Sequence, residues 1–284
     1  MVLDSPARDL IERFRPFSAR FLREHASLSG LLSQASVLLH GSTTLGIVDA
    51  FSDLDLWVLV PDSLAREFDR TSPTRFIEFR FDDRPGHYNL EPLELFHQRI
   101  DGCDFPLIAE LRRSIVLHDQ SLGCAIVARA NQLMPKDVRR AWFRYHYAEM
   151  RSEHRAADTP IDRGDAVAVL QAVTRTLVHA MQAAMVLDGE PYPYSKWLGR
   201  ACAQTPTGSR IMPLVNDVID LFGRGALRLP GPEAKHPINL KLREIRAALI
   251  TAAKDAGIDE PWLKEWWLHI PQSRQVIHEV RWPQ

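Results

Sequence analysis

The sequence predicts an α/β (α+β) N-terminal domain followed by an all-α domain. Up to about residue 121, short apolar runs alternate with amphipathic segments, which is typical of strands interleaved with helices. From about residue 122, apolar residues recur every three or four positions, which is typical of helices. The predicted domains are therefore residues 1–121 and 122–284.

Composition limits the classes of function. The chain has 284 residues, of which 35 are Lys or Arg and 36 are Asp or Glu, so its formal net charge is −1. This near-neutral charge argues against broad nucleic-acid or membrane-surface binding. Its 3 cysteines have no close spacing, which predicts free thiols in a reducing cytoplasm rather than disulfides or a zinc site. The N-terminus lacks the apolar run of a secretory signal. The longest apolar stretch, residues 166–187, is interrupted by Arg175 and His179, so we expect a buried helix.

Periodicity and turn residues place the N-terminal elements. Apolar residues at helical spacing from Leu10 to Phe21 predict a helix over residues 5–24. The further predicted elements are a short helix at 27–35, a strand at 36–40, a turn with one helical turn at 41–51, a strand at 53–61, a helix at 62–71, strands at 75–83 and 87–96 joined by a turn containing Pro85 and Gly86, a helix at 105–113 and a strand at 114–119.

The C-terminal half is predicted to be helical at residues 123–134, 136–157, 164–189, 211–226 and 239–257. Asp162 or Asp165 can cap the start of the third of these helices, since a carboxylate there accepts a free backbone N–H. Gly189 stands where that helix is expected to end.

The residues that point to chemistry lie between the first two predicted strands. Gly41-Ser42 ends the first strand, and Ser52-Asp53-Leu54-Asp55 begins the second. Residues two apart in a strand point to the same face, so Asp53 and Asp55 should project together. Two carboxylates side by side suit Mg²⁺, and a Gly-Ser turn lets backbone N–H groups and a hydroxyl approach a phosphate. The sequence therefore predicts a metal and phosphate site.

This pattern resembles the signature of the DNA polymerase beta-like nucleotidyltransferase superfamily, in particular the minimal bacterial type that includes the kanamycin, streptomycin and lincosamide adenylyltransferases. The resemblance implies a mixed sheet, with Gly41, Ser42 and Ser52 at the nucleotide and Asp53 and Asp55 at two Mg²⁺ ions. It also implies that an acceptor hydroxyl attacks the α-phosphate of ATP or another NTP and that pyrophosphate leaves.

The resemblance also implies a third carboxylate on a later strand. Alternation puts His87, Asn89 and Glu91 on one face of the predicted strand at 87–96, and Glu91 is our candidate for the metal ligand and the general base. Glu94 is the alternative. Asn89 stands where the lincosamide type carries an aspartate, which leaves open a nucleotide-binding protein without catalysis.

A second resemblance concerns the segment GEPYPYSKWLGR, residues 189–200, which is similar to the helical domain of many such enzymes. It implies that Lys196 points toward the phosphates of the nucleotide. The plainer interpretation is a surface lysine beside Trp197. The NTP and the acceptor are expected in a cleft between the two domains.

The expected acceptor is a small hydroxylated molecule of the aminoglycoside or lincosamide kind. The alternative is a toxin–antitoxin or regulatory nucleotidyltransferase that acts on, or binds, a protein or tRNA partner. The near-neutral charge argues against nucleic acid, no membrane association is expected, and the oligomeric state is left open.

Overall fold

The structure is a computed structural model that describes residues 5–45, 52–72, 74–120 and 122–283. The residues form two compact units. The first unit runs to Gln132 and takes in Pro283, and the second spans Leu133–Trp282. The domain limits that the sequence predicts, 1–121 and 122–284, stay a prediction.

The first unit is built on a five-stranded sheet with the strand order β3-β4-β2-β1-β5. The strands are β1 (Ser36–His40), β2 (Leu54–Val60), β3 (Phe76–Phe81), β4 (Arg84–Pro92) and β5 (Ile115–His118). Strands β2 and β4 pair in parallel, whereas the other neighbours pair antiparallel, so the sheet is mixed. Together with the helical second unit, this sheet confirms the predicted fold class.

Helices flank the sheet of the first unit. They are α1 (Ser5–Glu24), α2 (Asp62–Thr71), α3 (Leu93–Asp101), α4 (Phe105–Leu111) and α5 (Leu122–Ala130). The predicted apolar face of α1 packs on the sheet, where the ring of Phe14 lies 5.6 Å from that of Phe79. The buried hydroxyl of Tyr88 on β4 donates a hydrogen bond to Ser18 Oγ of α1 at 2.9 Å. This hydrogen bond links the helix directly to the strand.

The turn between β3 and β4 differs from the prediction. Asp82 and Asp83 form it, with φ angles of +48° and +62°. A two-residue loop with both residues left-handed matches the twist of a hairpin, and aspartate tolerates this conformation. Pro85 and Gly86, predicted to lie in the turn, belong to β4 instead. A Cβ on Gly86 would overlap the ring of Phe79, so the absence of a side chain at Gly86 lets the Phe79 ring pack against the β4 backbone.

One other predicted element is wrong, and another is confirmed only in part. Residues 27–35 do not form a helix; the backbone makes successive turns between His25 and Gln34. The strand predicted at 87–96 ends at Pro92, and α3 begins at the next residue. In the predicted turn at 41–51, Gly41–Thr43 form one short 3-10 helix, and residues 46–51 lie outside the described part of the chain.

The second unit is helical throughout its regular structure. Its helices are α6 (Lys136–Ala156), α7 (Asp158–Arg163), α8 (Ala166–Leu187), α9 (Ser195–Cys202), α10 (Pro206–Gly223), α11 (Pro237–Asp255) and α12 (Ile270–Val276). Helices α6 and α8 pack along each other, and α8 also contacts α9, α10 and α11. These neighbours bury one side of α8, as its apolar sequence predicts, whereas Val167 and Leu170 near its start are exposed.

The helix ends follow local capping chemistry. The Asp165 side chain accepts the Ala168 N–H at 3.1 Å, which confirms Asp165 as the cap of α8. Helix α8 ends at Leu187, two residues before Gly189, which has a φ of +79°. Helix α10 starts at Pro206, earlier than predicted, because Thr205 caps it by accepting the Gly208 N–H.

Within the described helices, none combines the length and the apolar character needed to cross a membrane.

Two buried histidines, His146 and His154, and the half-buried His179 lie in the second unit. His146 Nδ1 is 3.1 Å from His179 Nδ1, and His146 Nε2 is 3.1 Å from the hydroxyl of Tyr192. Burial lowers the pKa of both imidazoles. His154 Nε2 is 3.1 Å from the carbonyl oxygen of the Asn239 side chain, and burial lowers the pKa of His154 to about 4. The native state therefore favours neutral imidazoles at these positions.

We predict that acid destabilises the second unit through these histidines. The native pKa of His154 is about 4, below the ordinary value of 6.5, so its contribution is full above pH 6.5 and is lost as the pH falls toward 4. The loss for His154 alone is roughly 3 kcal/mol of unfolding free energy. Urea unfolding from pH 7.5 to 4 should show a shallower pH dependence for His154→Gln than for wild type. Equal slopes would contradict the prediction.

Candidate metal centre

Two carboxylates stand where β2 begins. Asp53 precedes the strand and Asp55 is its second residue, so both project to the same side, as predicted. Both side chains are half-buried. Asp55 lies opposite His40 of β1 on one side and opposite His87 of β4 on the other. The carboxylates are thus flanked on both neighbouring strands by histidines.

His87 completes a cluster with the two aspartates. Each of the three side chains offers one ligand atom, and these atoms all lie within 4.8 Å of one another. His87 Nε2 is 3.1 Å from Asp55 Oδ1. The ring of Phe76 stacks on the imidazole at 4.5 Å between centroids and limits its rotation. The sequence placed His87 on the correct face but gave it no role, because the pairing of β4 with β2 was unknown.

A glycine lies directly against this cluster. Gly41 follows β1 with a φ of +77°, a conformation that L-residues adopt at a cost. A Cβ at Gly41 would overlap Oδ2 of Asp55. The Gly-Ser turn and the carboxylate are therefore neighbours in space, and only glycine lets the backbone approach Asp55 this closely.

The last residue of β1 and the turn after it carry buried polar atoms without hydrogen-bond partners among the described residues. They are Ser42 Oγ, Thr43 Oγ1 and both ring nitrogens of His40. The His40 ring stacks on Trp57 at 3.6 Å, and its Nδ1 is 3.4 Å from Glu110 Oε2, close enough for a charge interaction. Unpaired buried polar groups cost free energy, and they concentrate where a ligand would supply partners.

An open groove of about 530 Å³ runs along this edge of the first unit. Its lining residues are Asp53, Phe76, Glu78, Phe79, Arg80, Pro85, Gly86 and His87. The volume lies within the range of small-molecule sites. The groove combines two members of the cluster, Asp53 and His87, with an aromatic wall, since Phe76 is 42% exposed.

The structure does not bring Glu91 to the two aspartates. Glu91 pairs with Leu59, four residues beyond the Asp55–His87 pair, which is about 13 Å along the strand. Burial raises the pKa of the Glu91 carboxyl, while the positive charges of Arg75 and Arg99 act in the opposite direction. The structure places His87, not Glu91, beside the two aspartates.

The other predicted residues lie at different places. Glu94 is exposed in the first turn of α3, where its backbone N–H donates to Asp62 Oδ1 at 3.3 Å. Ser52 is buried next to Asp53, and its carbonyl accepts a hydrogen bond from Arg84 Nη1 at 3.2 Å. Lys196 is exposed at the start of α9 in the second unit, 5.5 Å from the ring centroid of Trp197. Its contact with phosphates stays a prediction.

The donor set fits a divalent cation. Two carboxylate oxygens suit Mg²⁺ or Mn²⁺, whereas an imidazole nitrogen suits softer ions such as Zn²⁺ and Fe²⁺. His87 Nε2 lies within ion-pair distance of the Asp55 carboxylate, at 3.1 Å. If a divalent cation binds here, Asp53 and Asp55 would be the ligands that the sequence predicts, and His87 could be a third.

The fold and these three side chains define a candidate metal centre on the mixed sheet of an α/β unit. No protein-family model matches the sequence, and no curated protein matches it significantly. Among solved structures, the chain is similar to the crystal structure of a nucleotidyltransferase-like protein from Exiguobacterium sibiricum 255-15. The TM-score is 0.47 and the sequence identity 9%, over 93% of this chain and 78% of that chain. At this level of similarity, the function depends on the site residues themselves.

We predict that Gly41→Ala disrupts the metal centre. The Cβ would displace Asp55, so unfolding free energy should fall by about 1 kcal/mol or more beyond the cost of the positive φ alone. Gly189→Ala is the control, because Gly189 has a φ of +79° and nothing within 4 Å of its Cβ position. Calorimetric titration with Mn²⁺ should show weakened binding for Gly41→Ala only. Equal stability losses in both variants with unchanged metal affinity would refute the close approach.

Proposed function

We propose that this protein is a divalent-metal-dependent nucleotidyltransferase. It would transfer a nucleoside monophosphate, most simply AMP from ATP, to a hydroxyl of a small-molecule acceptor. The observation that carries the proposal is the approach of the Gly41 backbone to the Asp55 carboxylate. This contact joins the two halves of the sequence motif, the Gly-Ser turn and the Asp-x-Asp pair, in one place.

The Gly-Ser turn supplies the proposed nucleotide contact. The hydroxyl of Ser42 is buried and has no partner within the described residues, so it is available to donate to a phosphate oxygen. A phosphate there would satisfy a buried donor that otherwise costs about 1–3 kcal/mol. Ser52 precedes Asp53 and holds its stretch of backbone through the hydrogen bond that its carbonyl accepts from Arg84.

The reaction exchanges one phosphorus–oxygen bond for another. The acceptor oxygen bonds to the α-phosphorus, the bond from the α-phosphorus to the bridging oxygen breaks, and pyrophosphate leaves. A bound divalent cation would neutralise phosphate charge and lower the pKa of the acceptor hydroxyl. Asp53 and Asp55 would hold that cation, and His87 would fix the orientation of the Asp55 carboxylate. The acceptor proton would pass to a carboxylate or imidazole of this cluster.

The groove supplies a place for the acceptor. Glu78 and Arg80 offer polar contacts, and the exposed ring surface of Phe76 offers an apolar one. Such a mixed lining suits a small polar organic molecule with hydroxyl groups. A screen with labelled nucleotide that finds transfer only to a protein or tRNA would favour the regulatory alternative.

The first prediction for this function concerns nucleotide binding. Calorimetric titration with ATP and the other NTPs should show binding that needs a divalent cation. Asp53→Asn/Asp55→Asn should lose it, because two of the three cluster ligands lose their charge. Glu67→Gln removes one exposed carboxylate of α2 in the same unit and should bind as wild type does. Absence of NTP binding to folded wild-type protein would overturn the proposal.

The second prediction concerns the metal preference. His87→Asp replaces the imidazole beside Asp55 with a third carboxylate, and a set of oxygen donors suits Mg²⁺ better than a mixed set does. We expect the ratio of Mg²⁺ to Zn²⁺ affinity to rise about tenfold or more in His87→Asp, a differential of about 1.4 kcal/mol. His97→Asp is the control, since His97 lies on α3 outside the cluster. An unchanged ratio in His87→Asp would exclude His87 as a ligand.

A further inference from the structure

The second unit contains a pocket of about 110 Å³ that is rich in arginine. It is lined by Arg151, His154 and Arg155 of α6, Asp158 of α7, Glu233 before α11, Arg243 and Arg246 of α11, and Trp266. All of these residues belong to the same compact unit. The pocket is therefore formed by the second unit alone.

Two of the four arginines have carboxylate partners. Arg155 Nη1 is 2.9 Å from Asp158 Oδ2. Arg243 Nη2 is 3.5 Å from Glu233 Oε2. These pairs balance both acidic side chains in the lining, so neither carboxylate is left to compensate another arginine.

The other two arginines, Arg151 and Arg246, have no carboxylate partner among the described residues. Arg151 Nη1 lies 3.5 Å from the hydroxyl of Tyr147, its guanidinium lies 5.2 Å from the Trp266 ring centroid, and its Nε is buried without a hydrogen-bond partner. Burial, and then the charge of Arg151, lowers the pKa of the Arg246 guanidinium. Two positive charges are held close together here at a cost in free energy.

The remaining titratable group in the lining adds no charge. Burial lowers the pKa of His154 to about 4, and the Nε2 atom of its ring lies in hydrogen-bond distance of the Asn239 side chain. Near neutral pH, the pocket therefore carries two uncompensated positive charges, those of Arg151 and Arg246.

We propose that this pocket binds a phosphate group of a small phosphorylated molecule or of inorganic phosphate or pyrophosphate. A phosphate group carries about −1.5 to −2 charge at pH 7, which matches the two guanidinium groups that lack a carboxylate partner. A single carboxylate would balance the charge of only one of them. The planar guanidinium fork binds phosphate oxygens in a bidentate manner. The proposal does not depend on the nucleotidyltransferase assignment, since no residue is shared with the metal centre.

The test is calorimetric titration of the full chain with sodium phosphate and with pyrophosphate, in EDTA and at constant ionic strength adjusted with chloride. Chelation of divalent cations suppresses metal-dependent binding at Asp53 and Asp55, so the signal reports on the arginine pocket. We expect saturable binding to wild type and at least tenfold weaker binding to Arg246→Gln and Arg151→Gln. Preference for pyrophosphate over phosphate would identify a diphosphate as the ligand, and equal affinity a single phosphate group.

Arg210→Gln is the matched control. It removes one positive charge from the same unit, at a side chain that is 62% exposed and lies 3.8 Å from Asp255. Binding to Arg210→Gln should equal binding to wild type. Equal weakening in Arg210→Gln and Arg246→Gln would show that general charge, and not the pocket, attracts the anion. Absence of binding to wild type would also overturn the proposal.

A second measurement keeps the test decisive if a pocket variant does not fold. Hydrogen exchange of wild-type protein should slow on addition of phosphate in peptides from the C-terminal half of α6 and the N-terminal half of α11, and not in α8. The expected protection follows from a ligand that bridges α6 and α11. Unchanged exchange at saturating phosphate would refute the pocket.

Discussion

The close approach of the Gly41 backbone to the Asp55 carboxylate is the contact on which the candidate metal centre depends. Antiparallel pairing of β1 and β2 sets His40 opposite Asp55, and the next residue of β1 must then turn across the carboxylate. Only a residue without a Cβ fits this space in a left-handed conformation. The hydroxyl of Ser42 comes to the same region as a consequence, buried and without a partner in the described chain. One glycine thus connects the phosphate side of the proposed site to its metal side.

The parallel pairing of β2 and β4 supplies the rest of the centre. It sets His87 beside Asp55 and sends Glu91 about 13 Å away along the strand. Because side chains alternate along a strand, a shift of the register by two residues would keep the same face and put Asn89 in the place of His87. The identity of the third group is therefore decided by the register. An imidazole in this place adds a nitrogen donor to the oxygen donors of the aspartates, which bears directly on the metal that the centre prefers.

Both units hold groups of like charge closer together than stability alone would favour. In the first unit, Asp53 and Asp55 share one site with a single histidine as their neighbour in the cluster. In the second unit, Arg151 and Arg246 share a pocket whose carboxylates pair with other arginines. Groups of like charge held close together are typical of binding sites, because a ligand of opposite charge recovers the cost. The charge pattern of each unit thus fits the ligand proposed for it, a cation in the first unit and an anion in the second.

Local sequence patterns were enough to predict the helical second unit, the interleaved strands and helices of the first, and the association of Gly41-Ser42 with Asp53 and Asp55. These features follow from local rules, namely periodicity, capping and the alternation of strand side chains, which the chain carries in adjacent residues. The cap at Asp165 is an example, since its partner lies three residues away. The hairpin turn at Asp82 and Asp83 was missed because Pro85 and Gly86 are stronger local turn signals.

The contacts between side chains of different strands and helices could not be predicted from the sequence and became known from the folded chain. His87 reaches Asp55 through a parallel pairing of strands 32 residues apart in sequence, and no local pattern encodes that register. The arginine pocket likewise joins α6 and α11, whose guanidinium groups look like ordinary solvated charges when each helix is considered alone. The physical reason is the same in both cases. Long-range packing sets the distance between charged groups, and distance decides whether a charge is a surface feature or part of a site.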